Sequence, residues 1–258
     1  LSRIAKFNGV AVILAAGVGR RLGAHHQGPK VLLDFAGRSL LRRTMEALAA
    51  HGVQQLSITV GYEAETVRGA VGDILKIPAL QDLEVSFVEN LNYRDGSLIS
   101  LHSQAGVMKE GGEILLMDGD VLYAEPMIAR LLGGAGEGVL LVDREIEPGD
   151  EPVKICFDDQ GRIVDFRKRP TRAHVWFGES VGFFRFSRRI AAALADRFTW
   201  YVEQGLVKTE YEEAIRDLIL AEPEAFRAED VSDLPWTEID FPEDVVRARD
   251  VVLPQLEA

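Results

Sequence analysis

Val10-Ala11-Val12-Ile13-Leu14-Ala15-Ala16-Gly17-Val18-Gly19-Arg20-Arg21-Leu22 is an apolar run that passes into two glycines two positions apart. The run reads as a buried strand feeding a glycine-rich loop. In an open parallel sheet the ligand crevice lies at such a strand end. Glycines there allow the backbone to come close enough for amides to point at phosphate oxygens. The loop lacks the Gly-Lys-Ser/Thr of a Walker loop, and Leu22 stands where a dinucleotide fingerprint wants its third glycine. Both P-loop hydrolysis and hydride transfer lose weight.

Outward from this strand, helical spacing over 39–51 begins at Ser39 as N-cap and stops at Gly52. Strand-like runs at 56–60, 85–88 and 114–117 alternate with helical stretches at 63–71, 97–108 and 125–132. This alternation predicts an α/β fold with a Rossmann-like, mostly parallel sheet covered by helices on both faces. The pattern then changes to strand-like runs at 138–142, 153–157, 163–166 and 180–186, with Asp158-Asp159-Gln160-Gly161 as a turn. An antiparallel accessory hairpin or lid is expected over about 145–185, inside one domain spanning 1–258. Helices are expected again at 187–198, 211–221 and 243–253.

Hydrophobic residues make up 47% and charged residues 27%, the balance of a folded soluble domain. Lys plus Arg number 29 against 41 Asp plus Glu, a net charge of −12, which argues against a broad nucleic-acid surface. An anionic ligand must then be met locally, by a loop or a metal. Cys156 is the single cysteine, so no internal disulfide or cysteine metal cluster forms, and a core position suits it. No run approaches the roughly 18 to 20 apolar residues of a membrane span, so the expected address is cytoplasmic, with no membrane partner.

Arg21 and, after Gly28-Pro29, Lys30 place two cations on the glycine-rich segment. They suit a triphosphate and then the charge on departing pyrophosphate, or they are solvated loop charges. Met117-Asp118-Gly119-Asp120 closes a buried strand. If the backbone stays extended, both carboxylates face one side and suit Mg²⁺; Asp-Gly is equally a turn signal.

Leu14-Ala15-Ala16-Gly17-Val18-Gly19-Arg20-Arg21 followed by Pro29-Lys30 resembles the signature of the nucleotidyltransferases that activate sugar phosphates and alcohol phosphates. Trp236-Thr237-Glu238-Ile239-Asp240 resembles a block of the choline-phosphate-type cytidylyltransferases. Glu151 to Ile155, Phe166-Arg167-Lys168 and Gly178 to Gly182 follow the same order, so the resemblance runs from residue 10 to about 248.

The resemblance implies the nucleotide-diphospho-sugar transferase fold and Mg²⁺-dependent transfer of CMP from CTP to a small alcohol phosphate or phosphonate. Phosphocholine, aminoethylphosphonate and inositol phosphate are the acceptor types it brings. It assigns Arg21 and Lys30 to catalysis and Asp120 and Asp240 to the metal. Leu14, Ala15, Ala16, Gly17 and Gly19 go to the nucleotide, with Ser97 and Asp118 as further candidates there; Lys154, Lys168 and Glu179 are candidates for the acceptor, the lysines being otherwise exposed strand charges, and Trp236 is a further acceptor candidate. Trp176 and Trp236 either wall a quaternary ammonium or are simply core, the more common place for a tryptophan, whereas Glu238 and Asp244 read as solvated charges at a helix start. One departure is Asp95-Gly96-Ser97-Leu98, where the choline-phosphate branch tends to have paired asparagines before Ser-Leu.

Three alternatives stay open: a hexose-1-phosphate nucleotidyltransferase, an Asp-x-Asp glycosyltransferase, and a non-catalytic nucleotide-sensing subunit. The partners expected are an NTP and a phosphorylated small alcohol, with no nucleic acid; a homodimer is left open. Lys30→Ala and Asp240→Asn are expected to abolish turnover and spare the thermal midpoint.

Overall fold

A computed structural model describes residues 7–25, 27–146 and 151–257. The first strand, β1 (Gly9–Leu14), is buried on both faces: Ala11 and Ile13 enter one apolar cluster and Val12 the other. A strand in this position must read as a continuous apolar run, as this one does. The other strands follow as β2 (Asp34–Phe35), β3 (Arg38–Ser39), β4 (Gln55–Val60), β5 (Glu84–Glu89), β6 (Glu113–Asp118) and β7 (Val121–Tyr123). Then come β8 (Gly138–Asp143), β9 (Lys154–Phe157), β10 (Ile163–Arg167), β11 (Trp176–Phe186), β12 (Phe226–Asp230) and β13 (Trp236–Glu238). The α-helices are α1 (Leu40–Ala50), α2 (Ala64–Ile74), α3 (Ser97–His102), α4 (Ala105–Glu110), α5 (Pro126–Gly133), α6 (Arg188–Glu203), α7 (Tyr211–Ala221), α8 (Pro242–Arg247) and α9 (Leu253–Leu256).

Nine strands form the main sheet. β5, β4, β1 and β6 are parallel neighbours in that order, and β11 joins β6 antiparallel. On its other edge β11 pairs antiparallel with β8, which pairs parallel with β12. The first residues of β11 pair with β9, and β9 with β10. Helices cover both faces: α1, α2 and α5 pack residues such as Met45, Val67 and Met127 on one, and α3, α4, α6 and α7 pack Leu98, Met108, Leu194 and Ile215 on the other.

Local signals set several boundaries. Ser39 caps α1 by accepting the Arg42 N–H at 3.2 Å. Asp158 accepts the N–H groups of Gln160 and Arg162, and Gly161 takes φ +75° in the turn between β9 and β10. No helix among the described residues is long and apolar enough to cross a membrane.

Two expectations differ from the structure. The helix expected over 97–108 breaks into α3 and α4, because buried Gln104 bridges to β4, accepting from Ser57 Oγ and donating to Thr59 Oγ1. The terminal helix carries a π-turn at Ala248–Val252 just before Pro254, whose ring nitrogen has no hydrogen to continue the helical ladder. The expected antiparallel hairpin is β9 and β10, which adds to the main sheet through the pairing of β9 with β11, while residues 180–186 lie in β11 between β6 and β8. Residues 147–150 of the expected accessory segment lie outside the described residues.

Candidate active site

β1, β4 and β6 run parallel, so the loops after them open at one edge of the sheet, where their termini border a cleft of about 660 Å³. Leu14, Ala16 and Gly17 line it, and Ala15, Gly17 and Gly19 line an adjoining pocket of about 310 Å³. Gly19 holds φ +64°, and a Cβ there would lie 2.7 Å from Lys30 Cγ. The glycine is therefore what lets the lysine stem lie against the loop.

Lys30 is held between two carboxylates: its Nζ is 2.9 Å from Asp120 Oδ2 and 2.6 Å from Asp240 Oδ1. Burial alone would lower its pKa, but Asp120 and Asp240 outweigh that and hold it above the ordinary lysine range. Arg21 Nη1 lies 3.0 Å from Asp240 Oδ2 and 3.1 Å from Glu151 Oε2, with its guanidinium over the Phe241 ring. Neither residue is a free loop charge.

Asp120, Glu238 and Asp240 each offer a carboxylate oxygen within 4.8 Å of the others. Three hard oxygen donors in one cleft fit Mg²⁺ or Mn²⁺, with phosphate and water completing the shell. Lys30 and Arg21 are the cations that neutralise part of this cluster here. Glu238, read from sequence as a solvated helix-start charge, is exposed but ends β13 as a member of the acidic group. Desolvation and the repulsion of Asp120, Asp240 and Asp118 push its carboxyl well up. Asp244 does sit at a helix start, but buried, its Oδ2 accepting the N–H groups of Asp240 and Phe241. That bond fixes the chain direction at Asp240.

Asp118 and Asp120 do not share one extended side, because the chain turns at Gly119 and Asp120. Asp120 meets Lys30, while Asp118 Oδ2 accepts from Tyr211 Oη at 2.7 Å. Burial, then the charges of Asp120 and Glu212, raise the Asp118 carboxyl. Gly182, at φ +78°, leaves room for it, since a Cβ there would overlap Asp118 Oδ2.

Next to Arg21, and sharing Glu151 with it, Lys168 bridges Glu151 (3.2 Å) and Glu210 (3.0 Å). Lys154 donates to the carbonyls of Lys168 at 3.1 Å and Pro152 at 3.4 Å, bracing the segment, and it does not line the cleft. Glu179 is buried and lines the cleft. Trp236 does not: its indole N–H donates to Asp143 at 2.7 Å and its ring packs on the core. Trp176 stacks on Phe157 at 3.9 Å beneath Arg144. The expected aromatic wall is absent from the cleft because both rings have partners elsewhere. Ser97 lines the cleft, and its Oγ accepts the Tyr211 N–H at 3.1 Å, tying the starts of α3 and α7 together.

Residues 11–196 match the MobA-like NTP transferase domain. The chain belongs to the MobA-like NTP transferase family. This NTP transferase chain is 28% identical, over 250 residues and 91% of its length, to a CMP-5′-(3-aminopropyl)phosphonate synthase of Streptomyces rubellomurinus. It spans about half or less of the curated relatives it matches, 37% of that one and 52% of another. Among solved structures, the inositol-1-phosphate CTP transferase from T. maritima is similar at TM-score 0.74 and 22% identity, covering 97% of both chains. A CTP:phosphocholine cytidylyltransferase from Streptococcus pneumoniae is similar at TM-score 0.72 and 18% identity, over 94% of this chain and 99% of that one. Both structural likenesses support the α/β fold.

Several cleft residues of the NTP transferase were missed in the sequence: Tyr93, Arg94, Glu151, Ser180, Glu210, Tyr211 and Glu212. Glu151 lies in a segment that carried the family resemblance, which was the available signal. Tyr211 and Glu212 read only as the first turn of a helix. Their place in the cleft comes from the packing of α7 on β10 and α6.

Proposed function

We propose that this chain transfers CMP from CTP to a small alcohol phosphate or phosphonate, releasing pyrophosphate, with Mg²⁺ as cofactor. The observation that carries this reading is the convergence of a glycine-rich loop, two loop cations and three carboxylates at one strand-end cleft. The glycine loop, with Ser97 and Asp118 across the cleft, receives the nucleotide. Arg21 and Lys30 are positioned to turn from the carboxylates to the phosphates and to balance charge on the leaving pyrophosphate. Asp120 and Asp240, joined by Glu238, hold the metal, which supplies charge neutralisation at the α-phosphate when bound.

The acceptor oxygen attacks the α-phosphorus in line as the bond to the β-phosphate oxygen breaks. That oxygen is already anionic near neutral pH, so positioning and charge neutralisation suffice without a general base. Lys168 and Glu179, which line the same cleft, are the residues assigned to the acceptor in this reading. The CTP preference rests on the names of the similar proteins. A glycosyltransferase reading fits less well, because release of a nucleoside diphosphate has no use for a pyrophosphate clamp at Arg21 and Lys30. Pyrophosphate release with each of the four NTPs tests the reading: activity confined to CTP plus an alcohol phosphate or phosphonate supports it, and activity only with a hexose 1-phosphate replaces it with nucleotide-sugar synthesis.

A further inference from the structure

The first turn of α7 forms one wall of the cleft, and its polar side chains are occupied with a single exception. Glu210 pairs with Lys168, the Tyr211 hydroxyl donates to Asp118, and Glu213 pairs with Arg167. Glu212, between them, lines the cleft, yet its Oε2 is buried and has no hydrogen-bond partner among the described residues. Its own backbone N–H supports the carboxyl group, but a buried carboxyl oxygen without a partner is costly, and a ligand that completes it is one way such a group is kept.

The chemistry of the missing partner is restricted. A phosphate would repel the carboxylate. A neutral polyol would donate a hydrogen bond but leave the charge, in a cleft whose described lining has ten carboxyls against four basic side chains. A quaternary ammonium has no N–H to donate and needs exposed ring faces, whereas Trp176 and Trp236 are engaged elsewhere, Tyr211 is buried, and Phe241 and Tyr93 lie under Arg21 and Arg94. A protonated primary amine supplies both charge and donors.

We propose that Glu212 is the residue that sets acceptor specificity, and that it selects a phosphate or phosphonate bearing a protonated primary amine. This rests on the cytidylyl-transfer reading above and narrows its acceptor class. Burial holds the Glu212 carboxyl up at about 7, so a bound ammonium would also favour its ionised form.

The test measures pyrophosphate release at pH 8 with CTP and Mg²⁺, using 2-aminoethylphosphonate, its nitrogen-free isostere propylphosphonate, phosphocholine and inositol 1-phosphate. The wild-type chain is expected to favour the amine over propylphosphonate in kcat/KM by about 10- to 100-fold, the scale of a charge-assisted hydrogen bond. In Glu212→Gln that ratio should fall toward one through the KM of the amine, with the KM for CTP little moved, and Glu212→Asp should restore part of it. An unchanged ratio in Glu212→Gln, or a wild-type preference for phosphocholine or inositol 1-phosphate, overturns the proposal and leaves cytidylyl transfer standing. Silence with every acceptor overturns both. The wild-type ratio alone decides the amine preference if the variants do not fold.

Discussion

Lys30→Met removes the ammonium between Asp120 and Asp240 while keeping an unbranched stem against Gly19. Removing one partner of a buried ion pair typically costs about 3–5 kcal/mol because the other charge is left uncompensated. The Lys30 side chain is 12% exposed and each aspartate 25%, so water screens part of the cost; roughly 2–3 kcal/mol is the better figure. In a chain of this size that lowers Tm by roughly 4–12 °C. The sequence alone suggested a lysine whose loss would spare the midpoint; its two carboxylate partners reverse that expectation. Because Lys30 pairs with two of the three carboxylates that would hold a metal, the variant should also bind Mn²⁺ more tightly than wild type when no nucleotide is present. Scanning calorimetry in EDTA gives the first quantity and titration calorimetry with Mn²⁺ the second. A variant that melts with wild type in EDTA, or binds Mn²⁺ no better, would refute the picture of lysine and metal competing for one carboxylate set.

Four further outcomes follow from the site. Asp240→Asn should reduce turnover by at least about 100-fold, since it takes charge from the metal cluster and a partner from both Lys30 and Arg21; a steady-state pyrophosphate assay reads this. Gly182→Ala should destabilise the chain by about 1–3 kcal/mol and displace Asp118, because φ +78° and the overlap with Oδ2 both oppose a Cβ; urea unfolding measures it. Tyr211→Phe leaves the Asp118 carboxyl without its hydroxyl donor and should cost about 1–3 kcal/mol by the same method. Glu212 titrates near 7 when folded against an ordinary value of 4.5. The folded state then holds the extra proton between those values, so stability falls as pH rises from about 4.5 through 7. Glu212→Gln should lose that component of the slope, visible as a flatter Tm against pH.

The parts of this architecture that are local were readable from the chain. β1 and β6 announce themselves as short apolar runs and β4 as an alternating one, and the caps and turns at Ser39 and Asp158 carry their own hydrogen-bonding chemistry. The blocks around Arg21, Lys30, Asp120 and Asp240 also stood out, and the fold brings these four side chains together. What escaped depends on tertiary packing. The break between α3 and α4 needs Gln104 to find Ser57 and Thr59, 47 and 45 residues away. The roles of Trp176 and Trp236 depend on Phe157 and Asp143 reaching them first. Glu238 gives no hint of the acidic cluster until β13 pairs with β7 beside Asp120.

The most direct test of the account is ³¹P NMR of the NTP transferase chain with CTP, Mg²⁺ and 2-aminoethylphosphonate. The account expects the α-phosphorus of CTP to appear in a new phosphonate–phosphate anhydride as pyrophosphate accumulates in equal amount. Cytidine diphosphate, or free CMP with no anhydride formed across the alcohol phosphates and phosphonates, would contradict it.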